Sequence, residues 1–128
     1  MSTLIICLFI AALLPYLTKL PVAYAMHKAG GYDNNNPREQ QASLVGFGAR
    51  AVAAHQNSFE SLLIFSIGVL TAIITQTISP LTENLAILYV VSRFIYHAFY
   101  LMNLATLRSL IWAIGLVCSL TILGTCLP

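Results

Sequence analysis

Charge is what this chain has least of. Of 128 residues only 8% are charged, six Lys or Arg and four Asp or Glu, against 59% hydrophobic residues. A soluble domain carries about 25% charged residues, so too little polar surface is left here to cover a globule in water. The composition is that of an integral membrane protein. A net charge of +2 is too small for a nucleic-acid binder. The three cysteines, Cys7, Cys118 and Cys126, have no metal-ligand spacing and lie in apolar stretches, where they read as small hydrophobes. His27, His55 and His97 form no pattern with neighbouring carboxylates, so no metal site is expected. No P-loop, HExxH, GxSxG or dinucleotide fingerprint is present, which removes the enzyme classes built on them. Residues 1–14 have no basic n-region and no small-residue cleavage site, and read as a retained transmembrane helix.

What is present is four apolar stretches, over about residues 3–26, 43–77, 82–102 and 107–127. Each reaches the roughly 20 residues that span a bilayer. The expected fold is an all-α membrane protein, a single domain of four transmembrane helices in an up-down bundle. Pro15 and Pro21 predict a kink in the first helix. Residues 27–41, HKAGGYDNNNPREQQ, form the one substantial polar loop. Ser79-Pro80 ends the second stretch. The connection at 103–106 is short, which makes the last two helices antiparallel neighbours. With four spans both termini share one side. The first and third loops hold Lys28, Arg38 and, at the edge of the fourth stretch, Arg108, whereas the second loop has only Glu83. The positive-inside rule puts loops one and three in the cytoplasm. The termini then face the periplasm if the membrane is a bacterial inner membrane, or the lumen in a eukaryote.

Polar residues inside these stretches are costly and by default mark a functional site. Residues three and four apart share a helix face. On the second helix Arg50, Asn57, Glu60 and Ile64 make one stripe, with His55 pointing away. On the third, Arg93, Tyr96, His97 and Tyr100 make another, and Arg108 and Ser109 begin the fourth. Arg93 lies roughly 14 Å of helix from the cytoplasmic end near Met102, a depth that Asn57 and Glu60 also approach. An unpaired arginine there is costly, so Glu60 is expected to pair with Arg93. Two readings of that pair stand side by side: a buried ion pair that fixes helix register, or part of a ligand site. Asn57 likewise reads as interhelical hydrogen-bond glue or as a ligand contact. The excess of donors, Arg50, Arg93, Tyr100 and Arg108 on one side of the membrane, suits an anionic ligand.

The run Arg50-Ala-Val-Ala-Ala-His-Gln-Asn57-Ser-Phe-Glu60, the pattern Arg93-x-x-Tyr96-x-x-x-Tyr100 and the pair Arg108-Ser109 resemble the MAPEG family, the membrane-associated proteins of eicosanoid and glutathione metabolism. The resemblance covers the whole chain and looks most like the bacterial branch. It implies a four-helix bundle assembled as a homotrimer, with glutathione bound between neighbouring subunits and open to the cytoplasm. It implies that Asn57 and Glu60 hold glutathione or order the site, with Arg50, Arg93, Tyr96 and Tyr100 as further glutathione-binding residues. Arg108, with Ser109 beside it, is implied as the group that stabilises the thiolate. The chain departs from the eicosanoid enzymes at Ala53, where they carry an arginine, and Trp112 stands where some members have a tyrosine.

Two functions compete. The first is a glutathione-dependent transferase or peroxidase acting on lipophilic electrophiles that arrive from the bilayer. The second, motivated by Ala53, is a non-catalytic bundle serving as a scaffold or a lipid-binding protein. A transporter fits less well, because the chain has no inverted repeat and its ionisable residues cluster on one side.

Overall fold

A computed structural model describes residues 1–128 and contains helices and no strands. The elements are α1 (Ser2–Leu17), α2 (Lys19–Lys28), α3 (Pro37–Ser43), α4 (Phe47–Ile74), α5 (Pro80–Leu101) and α6 (Ala105–Gly124). Four helices are long and apolar enough to cross a membrane: Ser2–Lys28, Phe47–Ile74, Pro80–Leu101 and Ala105–Gly124. The all-helical four-span bundle expected from composition is the architecture found. Only 29 of the 128 residues are buried, and large apolar side chains such as Phe9, Leu63, Phe94 and Val117 lie exposed around the bundle. A chain dissolved in hydrocarbon tolerates that surface, since the bilayer supplies an apolar solvent.

The first span is interrupted between its two prolines. Pro15 supplies no backbone N–H, and α1 gives way to α2 at Thr18, whose backbone stays near helical values (φ −72°, ψ −8°). The Thr18 hydroxyl donates to the Pro15 carbonyl at 2.9 Å, closing the turn locally. It also lies 3.2 Å from His55 Nδ1 and 3.3 Å from the Ser58 hydroxyl, which ties the junction of α1 and α2 to α4.

Two boundaries differ from the sequence expectation. The polar loop contains a two-turn helix, α3, started by Pro37 at its first position. The second span does not run on from Ser43: the chain turns extended at Leu44 and helix resumes at Phe47. The loop ahead of α3 is fixed by its own side chains. Asp33 accepts from the backbone N–H groups of Asn35 and Asn36, while Gln40 accepts from Asp33 N–H and donates to the Gly31 carbonyl.

α4 is the central helix and packs on every other one, and α5 and α6 form the most extensive single pair. Ser79 and Thr82 make a reciprocal capping box at the start of α5, with Pro80 between them. α5 ends in a Schellman turn: Leu104 N–H reaches the Phe99 carbonyl and Asn103 N–H the Tyr100 carbonyl, with Asn103 at φ 60°. That turn folds α6 back along α5. Two glycines let α6 approach. A Cβ on Gly68 of α4 would sit 3.0 Å from the Ser119 carbonyl oxygen, and one on Gly115 of α6 would sit 3.0 Å from Ser92 Oγ. Close helix contact through small residues is the usual means of packing where lipid removes the hydrophobic drive. The main core lies in the half of the bundle nearer the termini, around Phe65, Val69, Tyr89 and Ile122.

Candidate functional site

The other half of the bundle holds the polar residues, and the α5–α6 turn decides how they meet. The turn sets Arg108, in the first turns of α6, against Tyr100 in the last turns of α5: the guanidinium carbon lies 4.3 Å from the centre of the Tyr100 ring. Arg93 is stacked in the same way, 4.2 Å over Tyr96. Tyr96 and Tyr100 meet edge to face at 5.6 Å. The result is a ladder along α5 and across to α6 in which two tyrosines are flanked by a guanidinium at each end. Such stacking orients a guanidinium without neutralising it.

The expected Glu60–Arg93 ion pair does not form. Arg93 is 2% exposed and donates from Nη2 to Asn57 Oδ1 at 2.6 Å. Asn57 in turn donates from Nδ2 to Glu60 Oε2 at 3.2 Å. The amide therefore relays between the two charges. The reason is reach: Glu60 lies one turn further along α4 than Asn57 and is largely exposed, so Asn57 meets the incoming guanidinium first. The one ion pair within 4 Å in the chain is at the opposite end, between the Met1 amino group and Glu83.

Five expected site residues, Asn57, Tyr96, Tyr100, Arg108 and Ser109, line one cavity of about 240 Å³, with Trp112 as the sixth wall. Glu60 lines an adjoining cavity of about 150 Å³ that shares Asn57 and Trp112. Arg93 stands behind this surface, held by Asn57 and Tyr96. Arg50 is not brought to it: two turns ahead of Asn57, it borders neither cavity, and its half-buried side chain leaves Nε without a partner. Ser109 faces the cavity with its hydroxyl donating to the Ala105 carbonyl at 3.1 Å. No carboxylate lies within 4 Å of Arg93 or Arg108.

Some residues outside the expected set also take part. Ser61, one turn after Asn57, bonds the Tyr89 hydroxyl at 2.8 Å, and Tyr89 stacks on Phe65 at 3.8 Å. This makes Tyr89 a packing aromatic under the site. His97 is buried beside Tyr96, with Nε2 unpartnered. A separate cavity of about 490 Å³ lies across α4, between the junction of α1 and α2, α3 and α4. Lys19, Arg38, His55 and Gln56 contribute to its lining. The sequence signal for it was the position of His55 off the Asn57 stripe, which reads as a second polar face of α4.

The cavity thus presents one stacked guanidinium, two tyrosines and an amide, with a second stacked guanidinium, Arg93, buried behind them. Comparison with known proteins gives one match. The model of the family described as MAPEG matches residues 3–128, a range that includes every residue of the site. No curated protein and no solved structure matches the chain.

Proposed function

The chain belongs to the MAPEG family, and we propose that it is a glutathione-dependent transferase or peroxidase that acts on lipophilic electrophiles as a homotrimer. The observation that carries this reading is Arg108, a guanidinium that is stacked on Tyr100, borders the cavity and is claimed by no carboxylate. An ordinary thiol has a pKa near ~8.5 and is mostly protonated at neutral pH. A guanidinium beside the sulfur lowers that pKa and holds the nucleophilic thiolate.

The lining fits the thiol end of glutathione. Arg108 faces the sulfur. Tyr100, already oriented by Arg108 and Tyr96, is the hydrogen-bond donor nearest to hand. Ser109 donates once its hydroxyl turns away from the Ala105 carbonyl. Asn57, Tyr96 and Glu60 contact the peptide portion, and Arg93 keeps Asn57 in place. A cavity of about 240 Å³ does not enclose a tripeptide, which supports a site completed by a second copy. Lys19 and Arg38 lie in the cavity across α4 with no acidic partner, and they suit the glutathione carboxylates offered from a neighbouring copy. The site opens to the cytoplasm, and substrate enters from the bilayer.

The test is glutathione binding by calorimetry on the detergent-solubilised protein, with the ultraviolet thiolate band and conjugation of a generic electrophile as readouts. Micromolar to millimolar binding that weakens in Arg108→Ala supports the reading. A well-folded trimer that neither binds glutathione nor shows the band overturns it. One observation favours the scaffold or lipid-binding reading instead: the Arg93–Asn57 bond joins α5 to α4 with no ligand required. In that case Asn57→Ala disrupts assembly and Arg108→Ala leaves every property intact.

A further inference from the structure

A cavity of about 450 Å³ lies where α2 ends and α4 begins. Lys28 is the last residue of the first span and Phe47 the first of the second, so the cavity sits where apolar helix gives way to polar loop. Tyr24, Ala25 and Lys28 wall it on the α2 side, and Leu44, Val45 and Phe47 on the other. No carboxylate lines it, and none pairs with Lys28. Lys28 Nζ lies 5.7 Å from the centre of the Tyr24 ring, and Tyr24 meets Phe47 edge to face at 6.3 Å. The ammonium and the two rings thus stand together at the level where aromatic side chains favour a membrane interface. Val45 is 83% exposed, more than any other large apolar residue of the chain, although it belongs to a connection between helices. The start of α4 opens on the same cavity. Its N-cap is Gly46, which offers no side-chain cap, and the N–H groups of Phe47 and Ala49 make no backbone bond, so the positive end of a long helix adds to the charge of Lys28.

We propose that this cavity holds an anionic phospholipid of the surrounding leaflet, with its phosphate at Lys28 and its first acyl carbons along Leu44, Val45 and Phe47. The cavity has a charged part and an apolar part, and the occupant has to satisfy both. A soluble anion would neutralise Lys28 and leave Val45 and Phe47 in water, whereas a lipid covers all three. A zwitterionic lipid brings a cation of its own toward Lys28, whereas an anionic one brings only the opposite charge. The site shares no residue with the cavity of Arg108 and Tyr100, so it neither needs nor supports the glutathione reading.

The bound lipid also has a structural consequence. α2 and α4 already touch beside the cavity, where a Cβ on Gly48 would lie 3.2 Å from the Ala25 Cβ. A lipid seated on Lys28 and Val45 bridges the two helices across the longest connection in the chain. It binds the folded arrangement and not the separated helices, so it raises the unfolding temperature by mass action.

The experiment reconstitutes the full protein into vesicles of phosphatidylcholine and phosphatidylglycerol in equal parts, releases it into mild detergent, and weighs the lipid that stays bound by native mass spectrometry. Phosphatidylglycerol is expected to be retained in preference to phosphatidylcholine and to raise the unfolding temperature. Lys28→Gln lowers that preference about fivefold and removes the thermal shift, and Lys28→Arg restores both. Val45→Asp lowers retention of either lipid about tenfold. Lys28 and Val45 are both exposed, so neither change removes core packing. Glycerol phosphate, the head without its chains, is expected to leave the unfolding temperature where it is. A shift as large as the lipid's makes this a small-anion site and overturns the proposal. Equal retention of the two lipids, or a preference unchanged in Lys28→Gln, overturns it as well and leaves an apolar groove. A changed oligomeric mass in Val45→Asp assigns the face to contact between copies of the chain and likewise overturns the lipid.

Discussion

Arg93 reaches across from α5 to the amide of Asn57 on α4 at 2.6 Å, and the same amide reaches back to Glu60 at 3.2 Å. A buried guanidinium thus rests on a neutral acceptor, with the carboxylate one bond further out. This spares the bundle a fully desolvated ion pair, whose Coulomb gain seldom exceeds its desolvation cost. It also leaves Glu60 on the wall of the adjoining cavity.

Removing the relay is therefore expected to cost more than one hydrogen bond. Asn57→Ala leaves Arg93 buried without its acceptor and destabilises the folded protein by about 2–4 kcal/mol. Asn57→Asp keeps an acceptor for Arg93 but sets a second carboxylate one turn from Glu60, and loses less. Thermal or denaturant unfolding in detergent measures both, and equal losses in the two variants would contradict the relay.

Arg108 is expected to behave in the opposite way. It is partly exposed at the start of α6 and makes no ion pair, so Arg108→Ala leaves unfolding within about 0.5 kcal/mol of the parent. On the proposed glutathione reading, its effect falls on the thiol. Loss of the guanidinium lowers kcat/KM by about 10²-fold and shifts the pH–rate profile upward, because less of the bound thiol is ionised at a given pH. A pH series of thiolate absorbance with Arg108→Ala and Arg108→Lys checks this.

The approach of α6 to α4 depends on Gly68. An added Cβ meets a backbone oxygen, Ser119, which can move only with its helix, whereas at Gly115 the obstacle is the rotatable hydroxyl of Ser92. Gly68→Ala is expected to destabilise by about 1–3 kcal/mol, and Gly115→Ala by less. The ranking, read from paired unfolding curves, is the content of this prediction.

Asn103 holds the left-handed position of the α5–α6 turn at φ 60°. Glycine takes that conformation freely and a β-branched residue does not. Asn103→Gly is expected to be near neutral, and Asn103→Val to cost about 1–2 kcal/mol. Because this turn sets Arg108 over Tyr100, the valine variant also weakens glutathione binding more than its stability loss alone accounts for. Calorimetry at a temperature where both variants are folded separates the two effects.

The membrane class, the four spans and the helix faces that carry the polar residues are all legible in the chain before it is folded. Each of these follows from local information: the length of apolar runs against the thickness of a bilayer, and the 3.6-residue period that puts Asn57 with Glu60 and Arg93 with Tyr96. Arg108 is likewise placed at the start of the last helix close to Tyr100, because so short a connection leaves little choice. Which groups touch depends on how the helices pack. Glu60 and Arg93 share the right faces, yet Asn57 takes the guanidinium, since partner choice depends on the distance between two helices and on side-chain reach. Arg50 belongs to the Asn57 stripe by period but stays outside the cavities, because α4 is longer than the site it serves. The cavity that Asn57 and Glu60 share with Trp112 had no sequence signature at all, for its walls come from α4 and α6 and exist only once those two helices pack together.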